Sequence, residues 1–196
     1  MKVYTKDKID YKEYLDQQVH RAVAKWGRNE QYKVKFSANF HGMWKALNEL
    51  IGSPQTIGCM GIRSGAEYIE FKKYLPKSDV YGIDIGPDVV KVGKNCFCYD
   101  FNHLPEDWKD KFDLLYSNSI DHSFDVKATI TEWTRVTKVG GFMIMVFSAS
   151  DYVGGTDRYS FTIEDINKLF PSDKFEKIKV WPAVEQEVIY ALFKKK

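Results

Sequence analysis

The chain has 196 residues, 44% of them hydrophobic and 15% aromatic, enough for one domain with a full core and too apolar in texture for a disordered chain. Its 29 basic and 27 acidic side chains leave a formal charge of +2, so no overall field draws it to a phosphate backbone, and nucleic acid is not favoured as a partner. No stretch approaches the roughly 18 apolar residues that span a bilayer, and residues 1–10 are polar rather than signal-like, so a cytoplasmic protein with no membrane partner is expected.

Tyr11, Leu15, Val19, Ala22, Val23 and Trp26 recur at helical spacing, as do Phe40, Trp44, Leu47, Leu50 and Ile51. They predict two amphipathic helices, forming an N-terminal cap over 1–54 that belongs to the same domain as the core at 55–196. Gly52, Ser53 and Pro54 end the second helix. Beyond them, short apolar runs alternate with helical segments. Strands are predicted at 55–60, 79–84, 95–100, 112–118, 142–148, 175–181 and 187–193. Helices are predicted at 66–75, ending before Pro76, at 124–137, stopped by Gly140 and Gly141, and at 162–170. Cys96 and Cys98, with His103 nearby, are too closely spaced for a zinc knuckle, and an odd total of three cysteines gives no disulfide framework, so reduced thiols and no metal are expected. Helix-connected strands pair in parallel with right-handed crossovers, whereas the last two flank Pro182 closely and pair antiparallel. The expected fold is α/β, a seven-stranded, mostly parallel sheet with helices on both faces and an antiparallel C-terminal hairpin.

Ligands of open α/β sheets sit outside the carboxyl ends of the strands, and four of those ends are chemically loaded. After the first strand, Gly61 and Gly65 let the backbone turn tightly and approach a ligand before a helix begins. After the second, Asp84 lies 19 residues beyond Gly65, a distance at which an acid accepts hydrogen bonds from ribose hydroxyls. After the third, Asp100 offers an acceptor for an adenine amino group, and Phe101 an aromatic surface for the base. After the fourth, Ser117, Asn118, Ser119, Asp121 and His122 crowd polar groups behind an apolar strand, which marks the reaction end.

In the order of these motifs, 56–148 with a tail to 193 resembles the class I, Rossmann-like S-adenosylmethionine-dependent methyltransferases. That family has an acid and three alternating glycines after its first strand, a ribose-binding acid after the second, an adenine-contacting acid after the third and a Gly-Gly turn before the fifth. Asp84, Asp100 and Gly140-Gly141 fit. The first motif departs, with Cys59 where the acid stands and Arg63 in place of the middle glycine. Cys59-x-Gly61-x-Arg63-x-Gly65-x-Glu67, together with Asn118-x-x-Asp121-His122, is similar to a little-characterised subset of the family. The resemblance implies S-adenosylmethionine as cofactor, contacted by Cys59, Gly61, Arg63, Gly65 and Glu67, by Asp84 and Ile85, by Asp100 and Phe101, and by Ser117 and Asn118. Arg63 and Glu67, four apart at a helix start, either pair with each other or hold the cofactor's carboxylate and ammonium groups.

A hydroxyl acceptor would be served by a general base, for which His122 is the candidate, oriented by Asp121 or Asp125. Acceptor contacts are expected from the loop after the fifth strand, where Gly154 and Gly155 permit hinging and Tyr152, Arg158 and Tyr159 can stack or hydrogen-bond, and from His41 beside Phe40 and Trp44. The expected partner is a small molecule, because Asn118-Ser119-Ile120-Asp121 lacks the two prolines of base-directed amino methyltransferases. The resembled subset, associated with surface-carbohydrate pathways, implies a sugar or another hydroxylated acceptor. Two other readings remain. One is an NAD-dependent oxidoreductase, against which bulky Ile62 and Arg63 inside the first turn argue, since a pyrophosphate favours glycine there. The other is a non-catalytic protein that binds an adenosine cofactor.

Overall fold

The computed structural model of the protein describes residues 1–3, 9–25, 30–150, 157–183 and 187–196, excepting the side chains of 25 and 30–38. A short strand β1 (Lys2–Val3) precedes the two expected helices, α1 (Tyr11–Lys25) and α2 (Glu30–Ile51). Trp26, predicted in the first helix, lies outside the described residues. The second begins well ahead of Phe40 and stops as predicted. Gly52 takes φ +72 and donates its N–H to the Asn48 carbonyl at 2.9 Å, the left-handed turn glycine adopts without steric cost.

The sheet strands are β2 (Thr56–Met60), β3 (Asp79–Asp84), β4 (Cys96–Cys98), β5 (Phe112–Ser117), β6 (Thr137–Ser148), β8 (Phe175–Ala183) and β9 (Val188–Lys195). Their order is β4-β3-β2-β5-β6-β9-β8, with β7 (Tyr159–Ser160) pairing β1 in a separate antiparallel ribbon. Pairing is parallel from β4 to β6 and antiparallel across β6-β9-β8, as the connection lengths require. The helices α3 (Ala66–Tyr74), α4 (Val126–Val136) and α5 (Ile163–Leu169) fall where helical spacing places them. Single 3-10 turns, Pro87–Lys91 and Glu106–Trp108, replace full helices in the two connections on either side of β4.

One boundary differs from expectation. Helix α4 ends at Val136 and β6 starts at once, so Gly140 and Gly141 lie inside the strand and do not stop the helix. Phe112 pairs with Thr137, the register shifts before Leu114 pairs with Phe142, and Gly140 takes φ +77 within the offset. The glycine pair serves a strand irregularity.

The strands alternate faces with period two. Met143, Met145 and Phe147 of β6 join Trp133, Ile130 and Phe170 on the α4 and α5 side. Ile144 and Val146 join Phe40, Leu47 and Phe71 on the α2 and α3 side. Trp133 is fully buried and donates its indole N–H to the Phe101 carbonyl at 2.9 Å, linking the first of these cores to the loop after β4. Among the described residues, no helix is long and apolar enough to cross a membrane. Trp133→Ala should lower unfolding free energy by about 3–5 kcal/mol in urea denaturation; a loss below about 1 kcal/mol would show that this ring is not a principal core element.

Candidate active site

From the central strand β2 the chain reaches β3 on one side, and β5 lies on the other. The carboxyl ends of β2 and β5 therefore flank the point where strand order reverses, where ligands of open sheets bind. The turns after β2, β3, β4 and β5 meet α1 there around a recess partly open to solvent. It is lined by Gly61, Arg63, Asp84, Ile85, Phe101, Ser119 and His122 from the sheet side and by Gln18, Arg21 and Ala22 from α1.

The first turn is held by its glycines and by β3. Gly61 and Gly65 take φ +80 and +86, and Arg63 also adopts positive φ, +43. A Cβ on Gly61 would stand 2.5 Å from Ser119, and one on Gly65 2.3 Å from Val92, so neither position accepts a side chain. The amides of Gly61 and Ile62 donate to the Ile83 carbonyl at 2.7 and 3.1 Å, and that of Arg63 to Asp84 Oδ2 at 2.7 Å. Asp84 Oδ1 accepts from the Gly86 amide at 2.8 Å. Burial pushes the Asp84 carboxyl above the usual carboxylate range, while these amide donors and the charges of Arg63 and His122 pull it back.

Glu67 is buried at the start of α3. Its Oε1 accepts from Asn118 Nδ2 at 3.0 Å, and its Oε2 is buried without a hydrogen-bond partner. Burial raises its carboxyl to about 7, against the opposing pull of its own amide, Asn118 and Arg63. Cys59 is buried within β2, and its thiol is pushed up by the same desolvation. Ser117 is also buried; its hydroxyl donates to the Met60 carbonyl at 3.0 Å and accepts from the Ser119 amide at 3.1 Å, tying β5 to β2.

After β4, Phe101 reaches the recess and packs edge-on against Trp133. The Asp100 carboxylate is engaged elsewhere: Oδ2 accepts from the Tyr11 hydroxyl, and Oδ1 from the amide and side chain of Asn102 at 2.9 and 2.6 Å. After β5, a 3-10 turn (Ile120–His122) carries His122 to the recess. Asp121 sits beside it with Oδ1 buried and unpartnered, and burial raises its carboxyl. Asp125 caps α4, accepting from the Lys127 and Ala128 amides at 2.8 and 3.1 Å. The carboxylate beside the imidazole is Asp157, whose Oδ1 lies 3.2 Å from His122 Nδ1.

The acceptor-side expectations divide. Tyr152, Gly154 and Gly155 lie outside the described residues. Arg158 sets its guanidinium over the rings of Tyr14 and Phe124, 5.8 and 5.4 Å from their centroids. Tyr159 is a buried β7 residue whose hydroxyl donates to the Phe124 carbonyl at 2.9 Å, and His41 meets the Tyr74 hydroxyl at 2.5 Å on the outer side of α2. Neither of these two lines the recess.

Residues 57–145 match the methyltransferase domain family. This region is a methyltransferase domain. Its family uses S-adenosylmethionine, which settles the cofactor in favour of that molecule over NAD. Among curated proteins, none matches the chain by sequence. Of solved structures, a Burkholderia thailandensis 1,6-didemethyltoxoflavin-N1-methyltransferase, with bound 1,6-didemethyltoxoflavin and S-adenosylhomocysteine, superposes with TM-score 0.75 at 13% identity over 99% of this chain and 94% of its own. The N-methyltransferase NodS of Bradyrhizobium japonicum, in complex with S-adenosylhomocysteine, does so with TM-score 0.70 at 14% identity over 92% and 99%. At such identities the likeness is one of fold, and it extends over the whole Rossmann-like sheet with its antiparallel hairpin.

Sequence reading of the methyltransferase site missed Gln18, Arg21 and Asp157. Gln18 and Arg21 sit three apart on one helical face, a signal visible in the sequence, but nothing local says that this face covers the strand ends. Asp157 was hidden by sequence distance from His122.

The Glu67 carboxyl has a measurable consequence. Its folded-state value, about 7, lies above the ordinary 4.5, so its contribution to stability is full below pH 4.5 and is lost as pH rises through 7. From pH 5 to 8 this group should cost the protein about 2–3 kcal/mol of unfolding free energy, and Glu67→Gln should abolish that loss. Urea denaturation at both pH values measures it; identical pH dependence in the two proteins would place the Glu67 carboxyl in a solvated environment.

Proposed function

We propose that the enzyme methylates a small polar acceptor, a sugar or another hydroxylated metabolite, with His122 as general base. The observation that carries this reading is the position of the His122 imidazole at the end of β5, on the wall of the recess that Asp84 and Phe101 also line. Bound S-adenosylmethionine supplies a methyl group on an electron-poor sulfur, so the protein has mainly to align the acceptor and receive its proton.

Asp84 and Ile85 meet the ribose side, and Phe101 meets the base, with Asp100 bracing its loop through Tyr11 and Asn102. Gly61 and Gly65 keep the turn low, while Cys59 and Ser117 hold the strands beneath it. Arg63 reaches the recess and takes the carboxylate of the methionyl portion. The orphaned Oε2 of Glu67 fits an ammonium group, which would satisfy a buried oxygen that is costly to leave unpaired; Asn118 holds the other oxygen. On the acceptor side stand Gln18, Arg21, Ser119 and His122, donors and acceptors suited to a polyhydroxylated molecule.

Calorimetric titration should show micromolar binding of S-adenosylhomocysteine, weakened at least tenfold by Asp84→Ala, and no heat with NAD. Binding of NAD alone would overturn the cofactor assignment. In a methylation screen over sugars and other hydroxylated metabolites, His122→Gln should slow turnover by about 10²-fold or more with little change in cofactor affinity. Undiminished turnover would remove the base role, and cofactor binding without turnover on any acceptor of this class would favour a non-catalytic binder.

A further inference from the structure

We propose that Asp157 is the positioning residue of His122: its carboxylate fixes the imidazole and balances the charge the ring gains on taking the acceptor's proton, while Arg21 holds that carboxylate in place. The inference rests on reading His122 as the base of the proposed methyl transfer.

The backbone around the pair is pinned from two sides. The Arg158 amide donates to the Asp121 carbonyl at 2.8 Å, which brings Asp157 opposite the 3-10 turn. The His122 carbonyl accepts from the Tyr14 hydroxyl at 2.9 Å and from Gln18 Nε2 at 3.5 Å. Beside this fixed main chain, Asp157 Oδ1 stands 3.2 Å from the imidazole Nδ1. The same oxygen accepts from Arg21 Nη1 at 2.7 Å. A carboxylate 3.2 Å from Nδ1 favours the proton on that nitrogen, which leaves Nε2 as the proton acceptor. When Nε2 takes the hydroxyl proton, the acceptor oxygen bonds the methyl carbon and the electron pair of the broken C–S bond remains on sulfur. The imidazolium formed then has a carboxylate 3.2 Å from its other nitrogen.

Charged groups face His122 from every neighbouring element: Asp157 after β6, Arg21 on α1, Asp121 on its own turn, Asp84 at the end of β3 and Arg63 after β2. Tyr14 adds no charge near neutrality, because burial raises its phenol. Asp157 and Arg21 thus act on the ring in opposite directions. Asp121, His122 and Asp157 also bring ligand atoms within 4.8 Å of one another, as a metal site would. The Arg21 guanidinium, 2.7 Å from Asp157, supplies the positive charge that such a cation would otherwise bring.

The test reads the ring directly and needs no acceptor. The chain has four histidines, and the His122 imidazole signal is assigned by its loss in His122→Gln and followed by NMR over pH 5–9. Asp157→Asn should lower its titration midpoint, and the conservative Asp157→Glu should restore it toward that of the unsubstituted protein. An unchanged or raised midpoint in Asp157→Asn would overturn the proposal. So would stoichiometric broadening of the His122 signal by manganous ion, which would make the cluster a metal site. S-adenosylhomocysteine titration of each protein is the separate control: failure of the unsubstituted protein to bind would defeat the methyltransferase reading while leaving the ring's midpoints to decide the Asp157 contact.

Discussion

The recess depends on one buried carboxylate. Asp84 closes β3 with one oxygen on the Arg63 amide and the other on the Gly86 amide, so the turns after β2 and β3 are tied to a single group. A buried carboxylate costs several kcal/mol unless its lone pairs are met, and two amide donors meet them here. Each turn therefore needs the other. If the first relaxed, the Arg63 amide would leave an oxygen half-satisfied at the floor of the recess; if the second did, Gly86 would do the same. This rigidity suits a site whose task is alignment rather than bond-making by its own atoms.

The two departures from the methyltransferase pattern at the first turn become intelligible on this basis. Arg63 adopts the positive φ that the family's middle glycine accommodates, at a cost of roughly 1–2 kcal/mol for a side-chain-bearing residue. Its amide bond to Asp84 offsets part of that strain, and the residue lines the recess. Cys59, standing where the family has an acid, is fully buried and uncharged in the strand. A buried carboxyl stands instead at Glu67, in the first turn of α3.

Sheet order and direction were legible because the signals are local: apolar runs of strand length, helical spacing between them, and glycine or proline at their ends. The glycine pair at 140 and 141 misled because two glycines after a helix read as a stop, whereas the register shift that uses them is a property of the β5–β6 pairing. The strand-end residues Asp84, Phe101 and His122 were legible because parallel topology alone sends them to one edge. Tyr159 and His41 were not, since an aromatic phenol or imidazole looks the same in sequence whether it faces a ligand or bonds a neighbouring carbonyl or hydroxyl. The Asp157–His122 contact joins loops that follow different strands, and no periodicity spans that distance.

What the sheet does not supply, α1 does. Tyr11, Tyr14, Gln18 and Arg21 recur at three- and four-residue steps and so share one helical face. That face meets Asp100 after β4, the His122 carbonyl after β5 and Asp157 after β6. One helix thus bridges three loops that the sheet holds only at their roots. The turns at the ends of β2 and β3 are fixed by strand pairing and by Asp84. The wall opposite them is a row of exchangeable side chains on a helix. Gln18 and Arg21 line the recess, Arg21 also bonding Asp157, while Tyr11 and Tyr14 bond Asp100 and the His122 carbonyl. The recess is therefore walled by the N-terminal helix on one side and by the carboxyl edge of the sheet on the other.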